Sequence, residues 1–448
     1  MTQERLPLLS EQRDRLAYAA WTEGQGLGEF VRNFGGGFRL RGALDVDTLK
    51  AALTALVERH EALRTAFPDG FDSDYQVVQE PREAVLAEQD LRHLPEEGRV
   101  EAGLRSAGEY LSRNLDPAGG LMLSTVLVRL GEEDHILGLA LDHMVADGAS
   151  LETLVDELWQ LYAAAERGEP SPLPTTRFDY RAYLRWEDDW LRNDPVPRQS
   201  IARFAEVLEG PGVLPLADIN GRLRDTNDRF TPKHVAGTVS GDDYKKFTAY
   251  CRDTRMTPFV ALLTAYLGAV HACGGSSDMG VMIPISRRTE ESHINAVCNL
   301  TTQATVRVRF DTSASFRDLN RQVRSAVMET YRLGQVPLYE VLKELAPETA
   351  GRLFLRPCLF FDLAPAGWTG GRRAVGDLTV DPVDVPITLR HEELLSVFAS
   401  TSEDQLSYHL LYPADVYTAP AIDDLNRAFT GLLERCVNDP LAPVGTLF

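Results

Sequence analysis

The residues best suited to do chemistry lie together in Leu141-Asp142-His143-Met144-Val145-Ala146-Asp147-Gly148-Ala149-Ser150. A histidine titrates near neutrality, so His143 is fit to accept a proton from an attacking amine or hydroxyl. Asp147 follows four residues later and can cap a helix or neutralise an arginine. Gly148 permits a tight turn. Taken alone, a histidine at a strand end is more often structural than catalytic, so this segment by itself does not make the chain an enzyme.

The neighbouring elements must place that histidine. Leu121 to Leu130 has strand composition, and His135 to Leu141 reads as a second strand after the turn Gly131-Glu132-Glu133-Asp134. This strand ends beside His143 and can present its imidazole to a cleft. Ser150 is expected to cap a helix with Leu151, Leu154, Val155, Leu158, Trp159 and Tyr162 on one face. A helix from Asp45 to Leu63, capped by Asp45 or Asp47, carries Leu49, Leu53, Leu56, Val57 and Leu63 at helical spacing. Helices are also expected from Asp242 to Arg255, from Thr257 to Ala272 and from Ala421 to Val437. Strands are expected from Met279 to Ile285 and from Thr302 to Phe310. The segment Asp194 to Lys233, with five prolines, reads as irregular, and Gly168 to Thr176 as the main boundary. Helices and strands mix without strict alternation, so the fold class is α+β with mixed sheets.

Composition narrows the function classes. The chain has 448 residues, 44% hydrophobic and 25% charged, with a net charge of −20. This surface argues against nonspecific binding to nucleic acid or to an anionic membrane. Five cysteines, none in a C-x-x-C pair, suit a reduced intracellular protein. Met1-Thr2-Gln3-Glu4-Arg5 lacks the apolar core of a signal peptide, and Phe259 to Cys273 is too short to span a bilayer. A cytoplasmic location is therefore expected. There is no H-x-x-x-H or H-E-x-x-H pair to suggest a metal site, and no G-x-S-x-G elbow. Phe34-Gly35-Gly36-Gly37 reads as a flexible turn. Cys273-Gly274-Gly275-Ser276-Ser277 reads as a loop rather than a phosphopantetheine attachment site.

Asp142-His143-x-x-x-Asp147-Gly148 resembles the HHxxxDG signature of the condensation-domain superfamily of nonribosomal peptide synthetases, whose fold is that of chloramphenicol acetyltransferase. Other segments resemble the family's motifs in order. Ser10-Glu11-Gln12-Arg13 resembles S-x-A-Q. Arg59-His60-Glu61-Ala62-Leu63-Arg64-Thr65-Ala66-Phe67 matches R-H-E-x-L-R-T-x-F at every fixed position. Asp179-Tyr180 opens a degraded D-Y/F-A-x-W element, with Arg181 and Tyr183 for Ala and Trp. Met279 to Arg288 resembles the strand V-G-x-P-V-x-x-R, and Val297-Cys298-Asn299-Leu300 resembles F-V-N-T. Pro337-Leu338, Arg356-Pro357 and Asp439-Pro440 to Val444 resemble the late motifs.

The resemblance implies two chloramphenicol-acetyltransferase-like subdomains, residues 1–175 and 176–448, forming a V-shaped pseudo-dimer with a central tunnel. It implies a free-standing condensation enzyme that moves an acyl or peptidyl group from a carrier-protein thioester to an amine or alcohol. No cofactor is held by the chain itself; the substrate arrives on the phosphopantetheine of an acyl or peptidyl carrier protein, and the acceptor is a small molecule or carrier-bound. His143 matches the functional histidine. Asp147 matches the structural aspartate, for which Arg59 is the expected arginine partner, and Gly148 is expected to let substrate approach the backbone. Ala149, Ser150 and Asn299 are expected to line the substrate path. Asp142 stands where the signature has its first histidine; adjacent strand residues point to opposite faces, so it is expected to stay off the reacting atoms. Ala149 is small where the family often carries an aromatic residue. His60 is expected to be structural.

Other functions remain open from sequence. Silent relatives that recruit a tailoring enzyme usually lose the functional histidine, which this chain keeps. An epimerase shares the signature but normally adjoins a carrier domain. A small-molecule acyltransferase of the same superfamily is the remaining alternative.

Overall fold

The structure is a computed structural model that describes residues 4–24, 32–209, 232–274, 276–309, 311, 313–345, 359–365, 371–387, 395–414 and 416–443. Arg356-Pro357 and Val444, quoted above for their motifs, lie outside the described residues, as do residues 210–231. The chain parts into two units. The first comprises Met1–Asn193, Arg288–Thr301 and Gly367–Leu389; the second comprises Asp194–Arg287, Thr302–Ala366 and Arg390–Phe448.

In the first unit the elements are β1 (Leu6–Pro7), α1 (Ser10–Gly24), β2 (Asn33–Arg41), α2 (Val46–Arg59), β3 (Thr65–Ala66), β4 (Tyr75–Val78), β5 (Leu86–Asp90), α3 (Arg99–Leu111), β6 (Leu123–Arg129), β7 (Asp134–Asp142), α4 (Gly148–Glu166) and α5 (Tyr180–Asn193). Two later strands, β12 (Arg373–Val375) and β13 (Leu378–Val383), complete its six-stranded sheet in the order β12-β13-β2-β7-β6-β5. Alternation along β6 decides what each face buries. Leu123 and Leu127 join a core with Leu53, Leu56, Leu151, Leu154, Leu158 and Tyr162 from α2 and α4. Val126 and Val128 turn the other way, onto Ala107 and Leu111 of α3. The central strand β7 is thus buried on both faces, and its last residue is Asp142.

In the second unit the elements are α6 (Pro195–Leu208), β8 (Pro232–Ser240), α7 (Gly241–Thr254), α8 (Pro258–Ala272), β9 (Asp278–Ser286), β10 (Thr301–Arg309), α9 (Phe316–Leu333), α10 (Leu338–Leu345), β11 (Leu359–Pro365), β14 (Leu395–Thr401), β15 (Gln405–Pro413) and α11 (Ala419–Asn438). The sheet runs β10-β9-β11-β14-β15-β8, with β11 parallel to β9 and β14 and the β14-β15-β8 edge antiparallel. Helix α8 is apolar on nearly all sides and is buried from Val260 to Val270. The mixed sheets and the helices around them make the fold α+β.

Several expectations need correction. The Pro-rich segment near Gly168 does not divide the units; the first unit runs on to Asn193. The reason is that α5 is anchored there: Ser10 N–H donates to Glu187 Oε2 at 2.9 Å and Tyr180 Oη donates to Gln76 Oε1 at 2.7 Å. Residues 194–208 are not irregular. Asp194 caps α6 and the prolines fall in its first turn, where a missing N–H is harmless. The triglycine is not a turn but part of β2, where a Cβ on Gly35 would lie 2.0 Å from the Leu139 carbonyl oxygen of β7. Glycine lets the two strands meet there.

Candidate active site

His143 follows the end of β7 in the short turn that enters α4. Its Nδ1 lies 3.2 Å from the Ala146 carbonyl oxygen. A carbonyl only accepts, so Nδ1 carries the proton and Nε2 keeps its lone pair. The imidazole stacks on Phe34 of β2 at a centroid separation of 3.9 Å and 21° between planes. Burial pushes the His143 pKa well below the usual histidine value, and the positive charge of Arg15 on α1 adds to that. The imidazole is therefore neutral at physiological pH. Asn299 Nδ2 donates to the His143 carbonyl at 2.7 Å and fixes the turn from the segment 288–301.

Asp147, not Ser150, is the N-cap of α4. Its Oδ1 accepts from the Ser150 amide at 3.0 Å, while Ser150 reaches back to the Asp147 amide to close a capping box. The carboxylate does more than cap. Arg288 Nη1 meets Oδ2 at 2.5 Å and Nη2 meets Oδ1 at 2.7 Å. The Leu300 amide and the Thr301 hydroxyl donate to Oδ2 at 3.0 and 2.9 Å, and the Ser150 hydroxyl donates to Oδ1 at 2.7 Å. Burial by itself would raise this carboxyl; Arg288 and Ser150 outweigh it and hold the pKa below the usual aspartate value.

The expected pairing of Asp147 with Arg59 is therefore wrong. Arg59, in the last turn of α2, donates Nε to Glu157 Oε1 and Oε2 at 3.2 and 3.1 Å. Glu157 is ten residues along α4 from Asp147, about 15 Å at 1.5 Å per residue, which is beyond the reach of one side chain. His60 Nε2 meets the same Glu157 at 2.6 Å. Arg59 and His60 thus tie α2 to α4. The residue that sequence reading missed is Arg288. Its signal was present, since the motif segment Met279 to Arg288 ends on an arginine to which no role had been given.

The remaining residues divide. Asp142 is fully buried and paired with Arg32. Gly148 is exposed and lies in open space: a Cβ there would meet nothing within 4 Å. Its backbone is not left-handed, so neither the fold nor the turn requires glycine. Ala149 is partly exposed beside it, whereas Ser150 is buried in the Asp147 network. Among the described residues, no group of three or more His, Cys, Asp or Glu is placed to hold a metal ion, and no helix is long and apolar enough to cross a membrane.

Comparison with known proteins adds the following. The Condensation domain family matches residues 33–448. The nonribosomal peptide synthetase kk1B of Curvularia clavata is 27% identical over 425 residues, which is 91% of this chain and 3% of that protein. The chain thus spans only a small part of the curated relatives it matches. Among solved structures, the X-domain from teicoplanin biosynthesis superposes with a TM-score of 0.83 at 20% identity over 99% of this chain and 97% of that one. It has also been solved in a complex with OxyB. The first condensation domain of the calcium-dependent antibiotic synthetase, in complex with a substrate analogue, superposes with a TM-score of 0.79 at 16% identity over 99% of both chains.

Proposed function

The chain belongs to the condensation-domain family, and from that premise we propose that it transfers an acyl or peptidyl group from a carrier-protein thioester to an amine or alcohol acceptor. One observation carries this reading: His143 is neutral, with Nδ1 held by the Ala146 carbonyl and Nε2 left to accept a proton. In the reaction the acceptor's lone pair attacks the thioester carbonyl carbon while Nε2 takes the acceptor proton. The tetrahedral intermediate then expels the carrier thiolate, which takes up that proton, and an amide or ester remains. Asp147 does no chemistry in this scheme; with Arg288 it holds the turn. The amides at the start of α4, next to exposed Gly148, supply donors and a positive helix end for the oxyanion.

The partners are then an acyl or peptidyl carrier protein and an acceptor, free or tethered. Intact-protein mass spectrometry of an acyl-loaded carrier, with acceptor and this protein present, reads deacylation directly. His143→Ala is expected to fold and to lose turnover by about 10² to 10⁴, the usual worth of general base catalysis. Wild-type turnover in that variant would remove the catalytic role. It would favour the other use of this fold seen among its structural neighbours, a domain in complex with another protein.

A further inference from the structure

The HHxxxDG signature has a histidine where this chain has Asp142, and the structure gives that aspartate a partner. Asp142 Oδ2 accepts from Arg32 Nε at 2.9 Å, with both side chains 2% exposed or less. Arg32 is held in turn by the Leu115 carbonyl, which accepts from Nη2 at 2.8 Å. The Phe71 ring lies 5.0 Å from its guanidinium, and the Asn114 side-chain oxygen accepts from its amide at 2.9 Å.

The backbone on both sides of the His143 ring hangs on this pair. The His143 amide donates to the Arg32 carbonyl at 3.1 Å, and the Met144 amide donates to Asp142 Oδ1 at 2.9 Å. Two residues beyond Arg32, Phe34 supplies the ring that stacks on the imidazole. One short segment, Arg32 to Phe34, therefore holds His143 by its main chain and by its ring. A carboxylate suits position 142 because its two oxygens accept from the guanidinium and from the Met144 amide at once, whereas a neutral imidazole offers only one acceptor.

We propose that the buried Arg32–Asp142 pair is the positioning device of His143, in place of the signature's first histidine. Neither residue touches the reacting atoms, and the part of the proposal that concerns rate rests on the catalytic reading given above. Buried pairs of this kind add little net stability, yet losing one partner strands the other's charge. Their use is to set geometry, and a misplacement of about 1 Å can cost on the order of 10² in rate.

The test uses Asp142→Asn, which keeps an acceptor for Met144 but loses the charge, with Arg32→Lys, Arg32→Met and the double variant Arg32→Met/Asp142→Asn. Asp142→Asn is expected to lower kcat by about 10²-fold with KM little changed. Arg32→Lys should retain more kcat than Arg32→Met. The double variant should recover melting temperature relative to Arg32→Met without recovering kcat. In a His143→Ala background Asp142→Asn should change the rate less than about twofold, because the pair acts through His143.

A second readout is independent of activity. In ¹⁵N-histidine-labelled protein, the His143 resonances, identified by their loss in His143→Ala, should report the Nδ1–H tautomer in the wild type. In Asp142→Asn they should report a mixture of tautomers. Unchanged His143 resonances in a folded Asp142→Asn protein would overturn the proposal, as would a rate loss equally large in the His143→Ala background. If His143→Ala is itself as active as wild type, the catalytic reading has failed, and the resonances alone decide the positioning role.

Discussion

At the scale of single residues, the proposed function turns on an imidazole that stays neutral. Burial and the charge of Arg15 depress the His143 pKa, so the unfolded chain takes up the proton first as pH falls. The stability owed to this site is thus fully present above about pH 6.5, the unfolded histidine value, and is lost as pH drops below it. The same depression keeps Nε2 available as a base at pH 6. The profile of kcat/KM against pH is accordingly expected to lack an inflection near 6.5 and to place its acid limb lower; an inflection at 6.5 that disappears in His143→Ala would contradict this. Gly148 offers a second residue-scale test. Because nothing in the fold fills the space of its Cβ, Gly148→Ala should leave the melting temperature equal or higher, since alanine reduces the freedom of the unfolded chain by about 0.4–1 kcal/mol. Activity should nevertheless fall if substrate passes over that backbone. Unchanged kcat/KM would show that no ligand approaches there.

At the scale of elements, one carboxylate, that of Asp147, ties the start of α4 to the segment 288–301. Breaking one partner of a buried pair costs roughly 3–5 kcal/mol, and Asp147 and Arg288 are 3% and 8% exposed. Asp147→Ala and Arg288→Ala are each expected to destabilise by about that much in urea unfolding. Combined, the two should show a coupling energy of about 0.5–3 kcal/mol. The Asp147→Ala and Arg59→Ala pair should instead be additive within about 0.5 kcal/mol, since Arg59 serves Glu157. Strong coupling of Asp147 to Arg59 would contradict the observed pairing. The α2–α4 contact through Arg59, His60 and Glu157 is a separate joint, and loosening it should leave the His143 turn in place.

At the scale of the whole molecule, two units of similar construction each wrap helices around a six-stranded sheet, and the first unit carries the complete His143–Asp147–Arg288 constellation. The proposed donor is tethered, so contacts with the carrier and with the arm add binding energy that can align the thioester. The protein is expected to prefer an acyl-carrier thioester to the same acyl group on N-acetylcysteamine, and the difference should appear in kcat/KM with a single acceptor. Equal kcat/KM for the two donors would move the protein toward the small-molecule acyltransferases of the superfamily.

Much of this molecule was legible in the order of its residues. The helix of Val46–Arg59 announces itself by leucines at helical spacing and an aspartate cap, and β6 and β7 by apolar runs broken at Gly131. His143 and Asp147 stand out by the resemblance of their segment to the HHxxxDG signature, and the mixture of elements implied α+β. These are local properties, set by backbone periodicity and capping within a few residues. What only the tertiary structure decided was partnership. Asp147 is 141 residues from Arg288, and Asp142 is 110 from Arg32; no spacing along the chain encodes such pairs, which exist because separate strands and loops converge on one buried carboxylate. Arg59 was the wrong choice for the same reason, as a motif can mark an arginine without showing which acid its helix faces. The glycines of β2 misled likewise: Gly35 and Gly37 are there for the approach of Leu139 and Val385, residues that only folding brings near.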